Sequence, residues 1–216
     1  MLSRNVFPYF QAICNRLLMI SRCRSKMTTT NISEEAPCTD IVWMDLEMSG
    51  LDVETDKILE ISCLITDKDL NLKSEGPCIA IKHSKELFEN MDDWCQKHHN
   101  ESGLVSNCLK SEINQECAEV TILKYLSNHI PKGKCPLAGN SVYMDRLFLR
   151  KYMPSVDDYM HYRIIDVSTI KELALRWNPL VFNRAPRKKL AHRSLDDIKD
   201  SLEELKYYRD RFFKGL

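Results

Sequence analysis

The chain has 216 residues, material for one domain of ordinary size with tails and not for a second large one. It is 44% hydrophobic and 29% charged, as a globular protein is, and no apolar run of 18 or more residues offers a membrane span, so no membrane partner is expected. A formal net charge of zero conceals an asymmetry: residues 1–33 carry Arg4, Arg16, Arg22, Arg24 and Lys26 with no acid, which leaves −5 on the rest.

The opening segment interleaves those bases with Val6, Phe7, Phe10, Ile13, Leu17, Leu18 and Ile20. A secretory signal would place its bases before one uninterrupted apolar core, so the pattern predicts a mitochondrial presequence over 1–26. Met27 offers a second start that would omit it and yield a cytosolic form. Residues 27–39 are polar, include Pro37 and read as a linker into a domain over 40–214. Nine cysteines, an odd number without a C-x-x-C pair, point to reduced thiols rather than a disulfide framework. Cys95, His98 and His99 lie close together but lack the second ligand pair of a structural zinc site.

In chain order, Ile41 to Glu47 reads as a buried strand that ends in two acids, Asp45 and Glu47. A turn over Met48 to Asp52 precedes a second strand from Lys57 to Thr66, and a third ends at Cys78 to Ile81, which together predict an antiparallel meander. Residues 84–99 look helical, with Asn100 to Ser106 a loop. A longer helix is expected over Ile113 to His129, where a stripe of Cys117, Val120, Leu123 and Leu126 or Ser127 recurs at three- and four-residue spacing. Leu137-Ala138-Gly139 is a short strand, Ser141 can cap the helix carrying Asp145, Leu147, Phe148 and Tyr152, and Arg163 to Val167 is the last strand. A helix from Ser168 to Trp177, a basic loop over Asn178 to Lys189 and an amphipathic helix through Leu195, Ile198, Leu202, Leu205, Tyr208 and Phe212 complete the chain. This order predicts an α/β fold, a mixed sheet of about five strands flanked by helices.

Asp45 and Glu47 alternate onto one face of their strand, about 7 Å apart. Either the strand surfaces there and both acids are solvated, or a cation or proton offsets their repulsion and lost hydration. Asp145 and Asp197 each fall in the first turn of a helix, where an acid can simply complement the dipole, and Ser194-x-x-Asp197 can be a plain capping box. His192, in the loop entering the same helix, shifts the balance toward chemistry.

Asp45-x-Glu47, then Gly139-Asn140-Ser141-x-x-x-Asp145, then His192-x-x-x-x-Asp197 resemble, in order and spacing, the three motifs of the DEDD exonucleases of the histidine subgroup. Within that superfamily the segments Trp43 to Asp52, Gly139 to Arg146, Tyr162 to Thr169 and His192 to Ile198 look like the oligoribonuclease family, over about Ile41 to Phe213. Ser194 departs from the small alanine more common there. The resemblance implies an RNase H-like fold and 3′→5′ hydrolysis of short oligoribonucleotides to 5′ mononucleotides, with Asp45, Glu47, Asp145 and Asp197 as catalytic metal ligands and His192 as general base. It further implies Leu51 wedged between the terminal bases, with Trp94, His99, Ser141, Tyr162, Arg163 and Ser168 around the dinucleotide and its 5′ phosphate. Tyr162 would come from the partner subunit of a homodimer.

The residue types suit that chemistry independently. Oxygen-only ligands favour Mg²⁺ or Mn²⁺ over zinc, and two ions about 4 Å apart can activate water and compensate the leaving oxygen. Without them, two carboxylates at such a distance repel by roughly 4 kcal/mol at an effective dielectric near 20. An imidazole takes a proton at neutral pH better than an ionised carboxylate does. A core charge of −5 with no appended RNA-binding module favours short single-stranded RNA over long nucleic acid. Two other readings stand beside this one: a DNA exonuclease of the same superfamily, and a non-catalytic nucleic-acid-binding protein on the same fold.

Overall fold

The computed structural model describes residues 38–187 and 192–214. The expected presequence, most of the linker, and Lys188 and Lys189 of the basic loop lie outside them. Five strands form one sheet in the order β3-β2-β1-β4-β5: β1 Ile41–Met48, β2 Ile58–Thr66, β3 Leu72–Ala80, β4 Leu137–Gly139 and β5 Ile164–Asp166. The first three are antiparallel, whereas β4 runs parallel to β1 and β5 to β4. The expected mixed sheet is therefore present.

β1 and β2 read as nearly continuous apolar runs because helices cover both faces of the sheet. Val42, Met44 and Leu46 join Ile61, Cys63 and Ile65 on one side, packed against Ala118, Ile122 and Leu126 of α4 (Gln115–His129) and Phe148 and Leu149 of α5 (Val142–Tyr152). Trp43 and Leu64 face the other side, against Val167 and Ala174 of α7 (Val167–Trp177) and Ile198, Leu202, Leu205 and Tyr208 of α9 (Ser194–Tyr208). Each Val, Leu, Ile, Met or Phe so buried is worth about 1.5–3 kcal/mol. By alternation Asp45 and Glu47 share the α9 side with Trp43, as do Glu60 and Ser62 of β2.

Several boundaries differ from expectation. The segment 84–99 is two helices, α1 Lys85–Glu89 and α2 Asp93–Glu101, because Asp92 caps the second by accepting from the Cys95 N–H at 2.7 Å. The supposed loop after it contains a helix, α3 Leu104–Lys110, entered through Gly103 at φ 76°. On α4 the buried positions are Ala118, Ile122 and Leu126, while Cys117 and Val120 are exposed, so the expected stripe is out of phase. Pro154 starts a helix, α6 Pro154–Tyr159, as a residue without a free N–H can at the first turn. A short helix, α8 Pro179–Asn183, lies in the basic loop, and α9 passes into a π-helical turn, Arg209–Phe213.

Ser141 stands at the N-terminus of α5 but in the left-handed region at φ 51°, and its hydroxyl caps nothing there. Nor is Ser194 a capping-box residue. Arg193 occupies the N-cap of α9, and the Asp197 carboxylate reaches back to its N–H at 3.1 Å. The seven cysteines among the described residues are all free, and no described helix is long and apolar enough to cross a membrane.

Candidate active site

β1 delivers the first two acids at its C-terminal end, just before a register shift between Glu47 and Met48 in its pairing with β2. The N-terminus of α9 delivers the third. Carboxylate oxygens of Asp45, Glu47 and Asp197 all lie within 4.8 Å of one another, the group among the described residues that could hold a metal ion. Three oxygen donors so close suit a hard divalent cation.

Asp145 stands beside this group rather than inside it. It is 6% exposed, its Oδ1 accepts from the Leu46 N–H at 2.8 Å, and its charge reaches Glu47. α5 can approach β1 this closely through Gly139, where a Cβ would sit 3.0 Å from the Met44 carbonyl oxygen.

Burial, followed by the charges of Asp197, Glu60 and Asp145, drives the Glu47 carboxyl up from 4.5 to about 8, with Arg193 opposing. The acids are therefore assembled at an electrostatic deficit that a cation would relieve, as the donor set requires of a metal site.

His192 has φ 49°, a left-handed conformation uncommon outside glycine. Its ring lies 4.7 Å from that of His98 and 5.3 Å, edge to face, from Trp94, both on α2. His99, one residue on, is buried. Its Nε2 donates to the Met48 carbonyl at 2.9 Å, which leaves Nδ1 as a buried acceptor without a partner, 4.0 Å from Glu47 Oε2. Burial lowers the pKa of this imidazole from its ordinary value.

Leu46, Glu47, Leu51, Trp94, Cys95 and His99 line a cleft of about 480 Å³ beside the acids. Leu51 stands at its rim, 67% exposed, on a turn that the Asp56 carboxylate ties down by accepting from the Ser49 hydroxyl and the Asp52 N–H. A side chain at Gly50 would displace that carboxylate, since a Cβ there would lie 2.4 Å from Asp56 Oδ2.

Ser141 and Ser168 meet in a second cleft of about 400 Å³ with Tyr143, Asp166 and Arg176. The Ser141 N–H donates to Asp166 Oδ1 and to Ser168 Oγ, and the two hydroxyls lie 3.1 Å apart. Tyr162 and Arg163 line neither cleft. Tyr162 is 73% exposed with the Arg163 guanidinium 5.2 Å from its ring, on a segment held by Arg146 bonds to the His161 and Tyr162 carbonyls. Of the expected residues, then, the acids, His192, Leu51, Trp94 and His99 gather at one end of the sheet, Ser141 and Ser168 form a neighbouring group, and Tyr162 and Arg163 face outward.

Three contributors escape a reading of the sequence alone: His98, Glu60 and Arg193. Glu60 carries the clearest signal, a single acid within the apolar run Ile58 to Thr66, because a charge buried in a strand demands a partner.

The RNase T exonuclease family matches residues 42–205. A Drosophila melanogaster protein named "Probable oligoribonuclease" is 61% identical over 176 residues, covering 82% of this chain and 83% of that one. Human "Oligoribonuclease, mitochondrial" is 51% identical, with 83% and 76% covered. Among solved structures, E. coli exonuclease I in complex with a 5cy-dT13 oligonucleotide superposes with a TM-score of 0.61 at 15% identity, a likeness of fold, over 82% of this chain and 41% of that one. The sheet order and both flanking helix layers are thus those of the RNase H-like exonucleases, and the chain belongs to the oligoribonuclease family of exonucleases.

Proposed function

We propose that this protein is a 3′→5′ exoribonuclease that hydrolyses short single-stranded oligoribonucleotides, dinucleotides included, to 5′ mononucleotides. The observation that carries the reading is the convergence of Asp45, Glu47 and Asp197 within 4.8 Å, with Asp145 beside them. These acids hold Mg²⁺ or Mn²⁺, two ions per site. Bound there, divalent cations supply the positive charge that water activation and the leaving oxygen need.

The chain's own groups do the rest. A ring nitrogen of His192 takes the proton of the attacking water, its ring kept in place by Trp94 and His98. Leu51 and Trp94 hold the bases in the cleft, and the bare Nδ1 of His99 accepts from a substrate donor. Ser141 and Ser168 offer hydroxyls to a phosphate, and Arg163 a guanidinium.

Tyr162, so exposed in one chain, suits a homodimer in which it completes the partner's substrate site. Residues 1–26 act as a mitochondrial presequence, in keeping with the names of the human, bovine and mouse relatives, and a start at Met27 gives a cytosolic form; 40–214 is the exonuclease domain. Fluorescent fusions begun at Met1 and at Met27 are expected to separate into the two compartments.

The deciding experiment follows a 5′-labelled diribonucleotide and its deoxy equivalent with Mg²⁺ or Mn²⁺. Release of the labelled mononucleotide from RNA supports the reading. Faster turnover of DNA would replace it with a DNA exonuclease, and binding without cleavage would leave only a binding protein.

A further inference from the structure

Glu60 is fully buried in the middle of β2, yet neither the acid group nor a cleft uses it. Its Oε2 accepts from Arg193 Nη2 at 2.8 Å. Its Oε1 accepts from Arg193 Nε at 3.2 Å, from the Ser194 N–H at 3.2 Å and from the Ser194 hydroxyl at 2.8 Å. The Ser62 hydroxyl, 2.7 Å away, then donates to Ser194 Oγ. One carboxylate thus binds four donors from two consecutive residues. Both oxygens are engaged, Oε1 three times and Oε2 once, which fixes the plane of the carboxylate against Arg193 and Ser194.

Those two residues stand directly after His192 in the chain and lead to Asp197. Arg193 is also tied to Asp197 twice through its backbone: its N–H donates to Asp197 Oδ2 at 3.1 Å, and its carbonyl accepts from the Asp197 N–H at 3.0 Å. Together they make an anchorage in which a strand paired on both edges fixes the start of α9 through the Glu60 carboxylate, with the Ser62 hydroxyl beside it. We propose that Glu60 is a positioning residue of the hydrolysis: through Arg193 and Ser194 it sets His192 and Asp197 against the acids of β1.

An Arg–carboxylate fork fixes direction as well as distance, which a single hydrogen bond does not. The left-handed backbone of His192 persists only where its surroundings over-determine it, and this anchorage lies one residue away. The inference rests on the exoribonuclease reading and adds to it a residue outside the motifs.

The test measures steady-state turnover of a labelled diribonucleotide by the full chain with Mn²⁺, well below each variant's Tm. Glu60→Gln is expected to lower kcat by about 10- to 100-fold, with KM for the diribonucleotide unchanged. Glu60→Gln combined with Arg193→Leu should cost no more than the larger single effect, because both break one anchorage. A purely structural Glu60 would lower Tm and leave kcat per folded molecule at the wild-type value, and that result overturns the proposal. If Glu60→Gln does not fold, Arg193→Lys and Arg193→Leu take its place, and wild-type kcat in both overturns it equally. An inactive wild-type protein would instead refute the exoribonuclease reading, so the two failures are distinct.

Discussion

Glu47 and Glu60 face each other across β1 and β2 as directly paired residues, yet only Glu60 carries an arginine fork. The asymmetry divides two like charges into an anchored one and one left to a cation. It also sets how the cation-free protein responds to pH.

In the folded chain Glu47 keeps its proton up to about pH 8, against an ordinary 4.5. Between those values the folded state holds a proton that the unfolded chain has released. The resulting stability is complete below the ordinary value and is lost as pH rises through the folded one. Thermal unfolding in EDTA is expected to show Tm falling between about pH 5 and pH 8, and Glu47→Gln to flatten that slope. A slope of the opposite sign would show that the site holds no proton-binding acid.

Asp145 combines a structural bond with its place beside the acids. Asp145→Asn keeps an oxygen for the Leu46 N–H, so it should retain the wild-type Tm while losing Mg²⁺-dependent cleavage by at least about 100-fold. Asp145→Ala should lose cleavage and also about 1–3 kcal/mol of stability, because that N–H is then left buried without an acceptor. Paired unfolding curves and turnover rates separate the two contributions.

Removing the imidazole should act on the chemical step. His192→Ala is expected to lower kcat by about 10²- to 10⁴-fold and to leave the KM of the diribonucleotide close to wild type, since Trp94 and Leu51 remain to hold the bases. Steady-state kinetics on a labelled diribonucleotide resolve kcat from KM.

Base stacking is worth about 1–3 kcal/mol, so Trp94→Ala should raise KM for the diribonucleotide by roughly 5- to 150-fold. The penalty should be visible in a series of 5′-labelled RNAs of increasing length as a loss concentrated on the shortest substrates.

The proposed sharing of Tyr162 between subunits has its own signature. Tyr162→Ala and Asp145→Asn chains, each inactive alone, should regain activity when mixed and allowed to exchange, because one site of the mixed dimer then has intact acids and the partner's intact Tyr162. Mixing without recovery would assign Tyr162 to its own chain's site or to none.

The sheet and its acids were legible because β1 and β2 are buried on both faces, so their apolar runs admit few alternatives and Asp45 and Glu47 stand out against them. The phase of α4 was less so. Exposed Val120 and buried Ala118 invert the hydrophobicity rule, since the sheet surface offers room for a small side chain and the outer face tolerates a valine. Helix ends were obscured by caps with two uses. Asp92 and Ser194 are both residue types that cap helices, but Ser194 spends its hydroxyl on Glu60, a partner 134 residues away that no local pattern reports. Asp145 and Asp197 were placed by spacing, whereas the approach of Trp94 and His98 to His192 depends on how α2 docks, which is a tertiary fact.

β1 is hydrogen-bonded to β2 along its length and to β4 at Val42 and Trp43, while the short stretch from His192 to Ser194 that leads into α9 is hydrogen-bonded to the sheet through the Glu60 carboxylate and the Ser62 hydroxyl. Amides of β1 should therefore exchange with solvent only when the whole domain opens, and those around Arg193 in smaller, more frequent excursions. Each such excursion would part the base from the acids without disturbing the sheet, so mild heat or denaturant should silence the nuclease before its core begins to melt.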